Sequence, residues 1–132
     1  MNVMTYLWVG LGGAIGTVAR FWLDRIMSDR FPATAFVGVL TINITGSLII
    51  GLFAALTDPN GRWLVGQTFR MFFMIGICGG YTTFSSFSLH TLQLARDGQW
   101  LYAGANVVLS VVFCLLAVWL GYALGASLNP KP

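Results

Sequence analysis

The stretch that decides the fold is Gly79-Gly80-Tyr81-Thr82-Thr83-Phe84-Ser85-Ser86-Phe87-Ser88. It interrupts a hydrophobic segment with two adjacent glycines and then adds five serine and threonine side chains. Each glycine lowers helix propensity by about 1 kcal/mol. Non-helical backbone at membrane depth is tolerated only where protein or a water-filled cavity satisfies its polar groups. We therefore expect a helix broken at Gly79-Gly80, with the functional centre at this break.

The composition is that of a membrane protein. Of the 132 residues, 57% are hydrophobic and only 8% are charged, which is too few charges to cover a water-facing surface. The net charge of +3 includes no basic run, so we expect no nucleic-acid partner and a lipid bilayer as the environment. Cys78 and Cys114 both fall in apolar segments and are interpreted as buried free thiols.

The hydropathy pattern predicts an all-α protein with four transmembrane helices in one domain, residues 1–128, followed by a tail at 129–132. The predicted segments are 4–22 (continuing weakly to 27), 34–56, a broken third segment from 65 or 69 to 94, and 100–128. Turn residues separate them at 31–34, 58–61 and 96–98.

Glycines in the first and last segments have the spacing that lets membrane helices approach closely, namely Gly12 with Gly16 and Gly121 with Gly125. The glycine-rich run of the first segment is not a nucleotide-binding loop, because no strand precedes it and the downstream acidic residue is missing.

A few polar residues lie within the apolar segments. Arg20 is either a cation reaching the membrane surface or a vestibule cation that gathers anions. Asn43 lies about 14 Å along its helix, and its amide either bonds a neighbouring helix or lines a pore. The last segment carries one polar stripe at four-residue spacing, Tyr102, Asn106 and Ser110.

The polar side chains share a chemical property, because amides, hydroxyls and aromatic ring edges present positive dipole ends without a full charge. Such a lining replaces the hydration shell of a small anion without holding it too tightly. All four aspartates are expected near turns, which argues against a proton or cation pathway. Backbone carbonyls freed at Gly79 and Thr82 have the opposite polarity and suit a cation. If two copies of the chain pair, these carbonyls from each copy would suit one Na⁺-sized ion near the axis between them.

The distribution of basic residues predicts how the chain inserts. With four spans, Arg62, Arg70 and Lys131 belong to one side of the membrane, and the other side has Arg20, Arg25, Arg30 and Arg96. Orientation follows the excess of Lys and Arg in cytoplasmic loops, and here there is almost no excess. We expect insertion in both orientations and an antiparallel homodimer.

The run at 79–88 strongly resembles the GGxTTFS[ST]F motif of the Fluc/CrcB family of fluoride channels. The resemblance covers nearly the whole chain, including Gly12-Gly13 with Arg20, residues 38–43, and the stretch 102–106. Val39 and Asn106 stand where some relatives carry threonine and serine.

The resemblance implies a fluoride-selective channel for passive efflux, built as an antiparallel dual-topology homodimer with two pores in the bacterial cell (inner) membrane. It implies that the rings of Phe84 and Phe87 line the pore, with Asn43 as a donor and Arg20 in the vestibule. A structural Na⁺ would be held by the Gly79 and Thr82 carbonyls of both copies. Further pore residues implied are Tyr102, Asn106, Ser110, Thr83, Ser85 and Ser88.

Two other classes compete with the channel hypothesis. A small multidrug-type exporter has a membrane-embedded glutamate in its first helix, whereas this chain contains no glutamate. A non-transporting assembly subunit leaves Asn43 and the Phe-Ser-Ser-Phe stretch without a purpose. An enzyme is not expected, because the sequence has no paired acids, Cys/His cluster or nucleophile–base pair.

Overall fold

A computed structural model describes residues 2–31, 34 and 36–130. Within them the chain is helical and contains no strand, which confirms the all-α prediction. Helix α1 is Val3–Arg30 and α2 is Phe36–Leu56. Helix α3 covers residues 67–81, as Gln67–Met71, a π-helical Phe72–Cys78, and Gly79–Tyr81. Helix α4 is Phe84–Arg96 and α5 is Trp100–Leu128.

Three helical stretches are long and apolar enough to cross a membrane: Phe36–Leu56, Gln67–Arg96 and Trp100–Leu128. The four predicted helical segments are present, since α3 and α4 together form the third. Helix α1 has 28 residues and is about 42 Å long, which is long enough to cross a membrane. It is not apolar enough to be counted with these three stretches. Its membrane crossing stays a prediction.

The break in the third segment lies at Thr82 and Thr83, and the prediction of a break at Gly79-Gly80 is wrong. Gly79–Tyr81 is helical, whereas Thr82 and Thr83 have extended backbone, with ψ of 157° and 117°. Gly80 packs on α1, where an added Cβ would lie 2.5 Å from the Gly13 carbonyl oxygen. Close packing of helix backbones has therefore outweighed the low helix propensity of glycine.

Glycines hold α1 against the π-helical part of α3. A Cβ on Gly12 would lie 2.5 Å from the Phe72 carbonyl oxygen, and one on Gly16 would collide with the Ile77 carbonyl. Gly76 faces α1 in return, with its Cβ position 2.9 Å from the Val9 oxygen. The packing interpretation of Gly12 and Gly16 is confirmed.

The second close helix pair is α2 with α5. A Cβ on Gly121 would collide with the Leu48 carbonyl, and one on Gly125 would lie 2.7 Å from the Leu52 oxygen. Cys78 is a buried free thiol as predicted, and Cys114 is free and half-buried.

Helix α1 continues past the predicted end, because residues 23–30 contain no glycine or proline. Asp24 therefore lies within the helix and not near a turn, which corrects the expectation for this acid, whereas Asp29 lies in the last turn of α1, next to the turn at 31–34 as expected. Asp24 faces α2, where its Oδ1 would lie 2.6 Å from a Cβ on Gly38.

The predicted turns separate the helices. In the first of them, at 31–34, Pro32 and Ala33 lie outside the described residues, as do Lys131 and Pro132 of the tail. Asn129 of the tail is bound to the helices: its Nδ2 donates to the Ala55 carbonyl at 2.9 Å and its Oδ1 accepts from Arg62 N at 2.9 Å.

Candidate functional site

A cavity of about 340 Å³ lies beside the break, between α2, α4 and α5. Five of the nine predicted pore residues line it. The complete lining is Asn43, Thr82, Thr83, Phe84, Phe87, Ser110, Val111, Cys114 and Leu115. It contains no ionisable group other than the Cys114 thiol, so its polar character comes from an amide, hydroxyls and backbone.

Asn43 is bonded to the backbone at the break. Its Nδ2 donates to the Thr83 carbonyl at 3.0 Å, and its Oδ1 accepts from Thr83 N at 2.8 Å. The side chain thus bonds both backbone polar groups of Thr83, the residue just before α4. The sequence left open whether Asn43 bonds a neighbouring helix or lines a pore; here it joins α2 to the break and also lines the cavity. One of its two Nδ2 hydrogens remains for another acceptor.

Thr83 begins α4 as its N-cap residue. Its Oγ1 accepts from Ser86 N at 3.2 Å and lies 3.2 Å from the hydroxyls of both Ser85 and Ser86. Ser86 was not among the predicted site residues. The sequence signal for it was a threonine followed three residues later by a second polar side chain, which is typical of a helix start.

The two phenylalanines differ in their burial. Their ring centroids are 5.1 Å apart with an interplanar angle of 48°. Phe87 is 9% exposed and packs inside the protomer, whereas Phe84 is 78% exposed. Phe84 therefore lines the cavity from its outer edge and leaves most of its ring uncovered by this chain.

The three residues of the predicted polar stripe on α5 have three different surroundings. Ser110 lines the cavity, and its Oγ donates to Asn106 Oδ1 at 3.4 Å. Asn106 is fully buried and its Nδ2 donates to the Thr91 hydroxyl at 2.9 Å, joining α5 to α4. Tyr102 is about half exposed, with its ring 6.5 Å from that of Phe36.

The remaining predicted site residues lie outside the cavity lining. Ser85 is exposed. Ser88 is exposed too, and its hydroxyl donates to the Phe84 carbonyl of its own helix at 2.9 Å. Arg20 is half-buried in α1, one turn after the Gly16 contact with α3.

The backbone at the break leaves carbonyl oxygens available for a cation. In a continuing α-helix, Thr83 N would donate to the Gly79 carbonyl, but it donates to Asn43 instead. Thr82 N and Thr82 Oγ1 both donate to the Cys78 carbonyl at 2.9 Å. The Gly79 carbonyl is thus without its helical donor, and the Thr82 carbonyl follows in extended backbone. Both oxygens suit a hard cation such as Na⁺.

The break is held close to α2. Gly46 has no side chain, and a Cβ there would collide with the Thr82 methyl group and lie 3.1 Å from the Tyr81 ring. The Tyr81 hydroxyl lies 2.8 Å from the Thr45 hydroxyl. On the other side, Thr17 of α1 donates to the Gly80 carbonyl at 3.4 Å. Contacts from α1 and α2 therefore fix the residues just before the break.

Comparison with known proteins agrees with this architecture. A family profile described as "CrcB-like protein, Camphor Resistance (CrcB)" matches residues 7–122. A Rhodospirillum rubrum protein named fluoride-specific ion channel FluC is 55% identical over 126 residues, covering 96% of this chain and 98% of the relative. FluC proteins of Methylocella silvestris and Opitutus terrae are 50% and 55% identical, covering 96% and 94% of this chain and the same shares of the relatives. The chain therefore belongs to the CrcB family.

Proposed function

We propose that this chain is a fluoride-specific ion channel, and not an enzyme, that lets fluoride leave the cell passively. The observation that carries the proposal is the uncharged cavity at the break, mostly apolar, where Asn43, Thr83 and Ser110 lie beside two phenylalanine rings. Relatives named fluoride-specific ion channel FluC, similar over nearly their full length, support the choice of anion.

The cavity chemistry suits a small dehydrated anion. Asn43 has one amide hydrogen not used by Thr83, and the ring edges of Phe84 and Phe87 carry positive partial charge. These weak donors replace water around the ion one contact at a time, and none carries a full charge that would trap it. Tyr102, Asn106, Ser85 and Ser88 are proposed to extend the polar path, and Arg20 to attract fluoride at its vestibule.

The channel is proposed to form from two antiparallel copies in a bacterial inner membrane, with α1 as a fourth crossing of each copy. The exposure of Phe84 supports this, because a ring that is 78% uncovered at the edge of the cavity leaves one wall to be supplied by another molecule. A second copy would close the cavity and bring a second Phe84 and Phe87 to the pore.

A sodium ion is proposed at the centre of the dimer, held by the Gly79 and Thr82 carbonyls of both copies. The loss of the Gly79 helical donor supports the fit. When bound, the ion would supply a fixed positive charge that joins the two breaks and favours anions nearby. Ion-replacement density at these carbonyls checks the assignment, and an ordered water in its place contradicts it.

Fluoride release from liposomes tests the channel. We expect purified protein to release fluoride rapidly and chloride far more slowly, as recorded with an ion-selective electrode for each anion. Protein-free liposomes measure the leak. Equal release of both anions would contradict fluoride selectivity, and no release above the leak would contradict channel function.

A further inference from the structure

We propose that His90 is a further fluoride-binding residue, beyond the cavity lining toward the α4–α5 turn, and that its protonation raises fluoride flux as the pH falls. This inference rests on the proposed channel function. It concerns the part of the ion path between the Phe87 ring and the surface, for which the cavity lining supplies no group.

The burial pattern of α4 directs His90 inward. Along this helix the less exposed positions recur every three or four residues and form one face, and the positions between them are exposed; they are Thr83, Ser86, Phe87, His90, Thr91, Leu94 and Ala95. His90 comes three residues after Phe87 and so shares its face of the helix. An ion that passes Phe87 toward the α4–α5 turn therefore meets His90 next.

The imidazole of His90 has an unused polar atom. Its Nδ1 is buried and has no hydrogen-bond partner within the described residues. A buried polar atom without a partner is unfavourable, so an anion that accepts a hydrogen bond from a proton on this nitrogen relieves the deficit.

The neighbouring polar groups do not supply that partner. The Thr91 hydroxyl donates to the Phe87 carbonyl at 2.8 Å and accepts from Asn106. The other Asn106 group, its Oδ1, accepts from Ser110. These side chains are already bonded to each other, and the histidine stands apart from their network.

The surrounding helices leave a charge on His90 uncompensated. Among the described helices, α4 packs against α2 and α5. Helix α2 has no ionisable side chain, and α5 has Tyr102, Cys114 and Tyr122 but no Asp, Glu, Lys, Arg or His. On α4 itself the other charged residue is Arg96, with Asp97 as its C-cap. No carboxylate on the packed helices competes with an anion for the imidazolium.

Histidine is the side chain that changes its charge between about pH 5 and 8. The imidazolium has two N–H donors and a positive charge, and both attract fluoride more strongly than the neutral ring. Flux is therefore expected to increase in acid, the condition in which fluoride enters cells as HF.

The test compares liposome fluoride release at pH 7.5 and pH 5.5, corrected for the leak of protein-free liposomes at each pH. We expect a several-fold rise for the native chain and no rise for His90→Gln. The matched control is His90→Gln with Gln93→His, which moves the imidazole to an exposed position on the same helix and should also abolish the rise.

A second readout is independent of flux. The chain has one histidine, so tag-free protein labelled with ¹⁵N-histidine gives the imidazole signals of His90 alone. Fluoride that binds the imidazolium must change the chemical shifts of these signals at pH 5.5, and chloride at the same concentration should not.

The outcomes separate the two proposals. Fluoride release that is equal at both pH values, or a rise that survives in His90→Gln, overturns the role of His90 while the channel stands. Imidazole signals that fluoride leaves unchanged at pH 5.5 also overturn it. No fluoride release by the native chain at either pH overturns the channel itself.

Discussion

At the scale of single residues, Asn43 has the most demanding position. Its Nδ2 donates to the Thr83 carbonyl at 3.0 Å, and its Oδ1 accepts from Thr83 N at 2.8 Å. This pairing is possible only because an amide has both kinds of group on one side chain. An aspartate of the same shape has acceptors only. A comparison of the native chain with Asn43→Asp therefore separates the role of the amide from the role of the side-chain volume.

Replacement of Asn43 should therefore reduce both stability and flux. Asn43→Ala leaves Thr83 N without its acceptor, at a cost of about 1–3 kcal/mol in the free energy of unfolding. Asn43→Asp keeps an acceptor but places a negative charge in the anion path, so we expect its fluoride flux to fall even where the protein stays folded. Thermal unfolding in detergent and liposome flux measure the two effects. Native flux in Asn43→Asp would remove the side chain from the ion path.

The phenylalanines give a prediction at the same scale. Phe84→Ile and Phe87→Ile should each reduce fluoride flux, because isoleucine has no ring edge with positive charge. Phe87→Ile should also lower stability, since Phe87 is buried, whereas Phe84→Ile should not alter the isolated protomer, since Phe84 is 78% exposed. Leu89→Ile, an exposed position on the same helix, is the control. Full flux in both phenylalanine variants would contradict a role for the rings.

At the scale of elements, the contact between α1 and α3 is made by glycines and carbonyl groups. The π-helical Phe72–Cys78 was not predicted, and segments of this kind often occur near functional sites. It lies against Gly12 and Gly16 of α1. Because the break follows only a few residues later, this contact also fixes where the Gly79 and Thr82 carbonyls lie.

Glycine substitutions test the contact. Gly80→Ala places a Cβ 2.5 Å from the Gly13 oxygen, and such overpacking typically costs about 1–3 kcal/mol. Gly10 and Gly104 are helical glycines with nothing within 4 Å of an added Cβ, so alanine there should be neutral or stabilise by up to about 1 kcal/mol. Thermal unfolding of the three variants measures the difference. Equal stability of Gly80→Ala and Gly10→Ala would show that the helices are not held this closely.

At the scale of the whole molecule, the basic residues predict how the chain is oriented in the membrane. The seven basic residues divide three against four between the two sides, so the excess that normally fixes orientation is missing. The structure leaves the cavity with an exposed ring at its edge. Both observations fit a chain that pairs with an inverted copy of itself.

Cysteine labelling in intact cells checks the orientation. A single cysteine at Gln99, in the turn between α4 and α5, should react with an impermeant reagent on both sides of the membrane in comparable amounts. Cys78 and Cys114 should be replaced so that they do not contribute. Two lysines added to the same turn should shift the labelling to one side, because they create the missing excess. One-sided labelling of the unmodified loop would contradict dual orientation.

The sequence by itself determined the helical segments and the polar positions within them. Apolar runs, turn residues and four-residue spacings are local properties, and they were enough for the all-α architecture and for the close packing at Gly12 and Gly16. The resemblance to the Fluc/CrcB family was needed to group Asn43, Thr83, Phe84, Phe87 and Ser110 among the pore residues. Tertiary structure decided the position of the break. Glycine propensity pointed to Gly79-Gly80, but the backbone contact of Gly80 with Gly13 keeps those residues helical. Asn43, forty residues away in sequence, accepts the hydrogen bond from Thr83 N, and the helix ends there. The sequence could not show this, because a hydrogen bond between distant segments depends on their packing and leaves no local pattern.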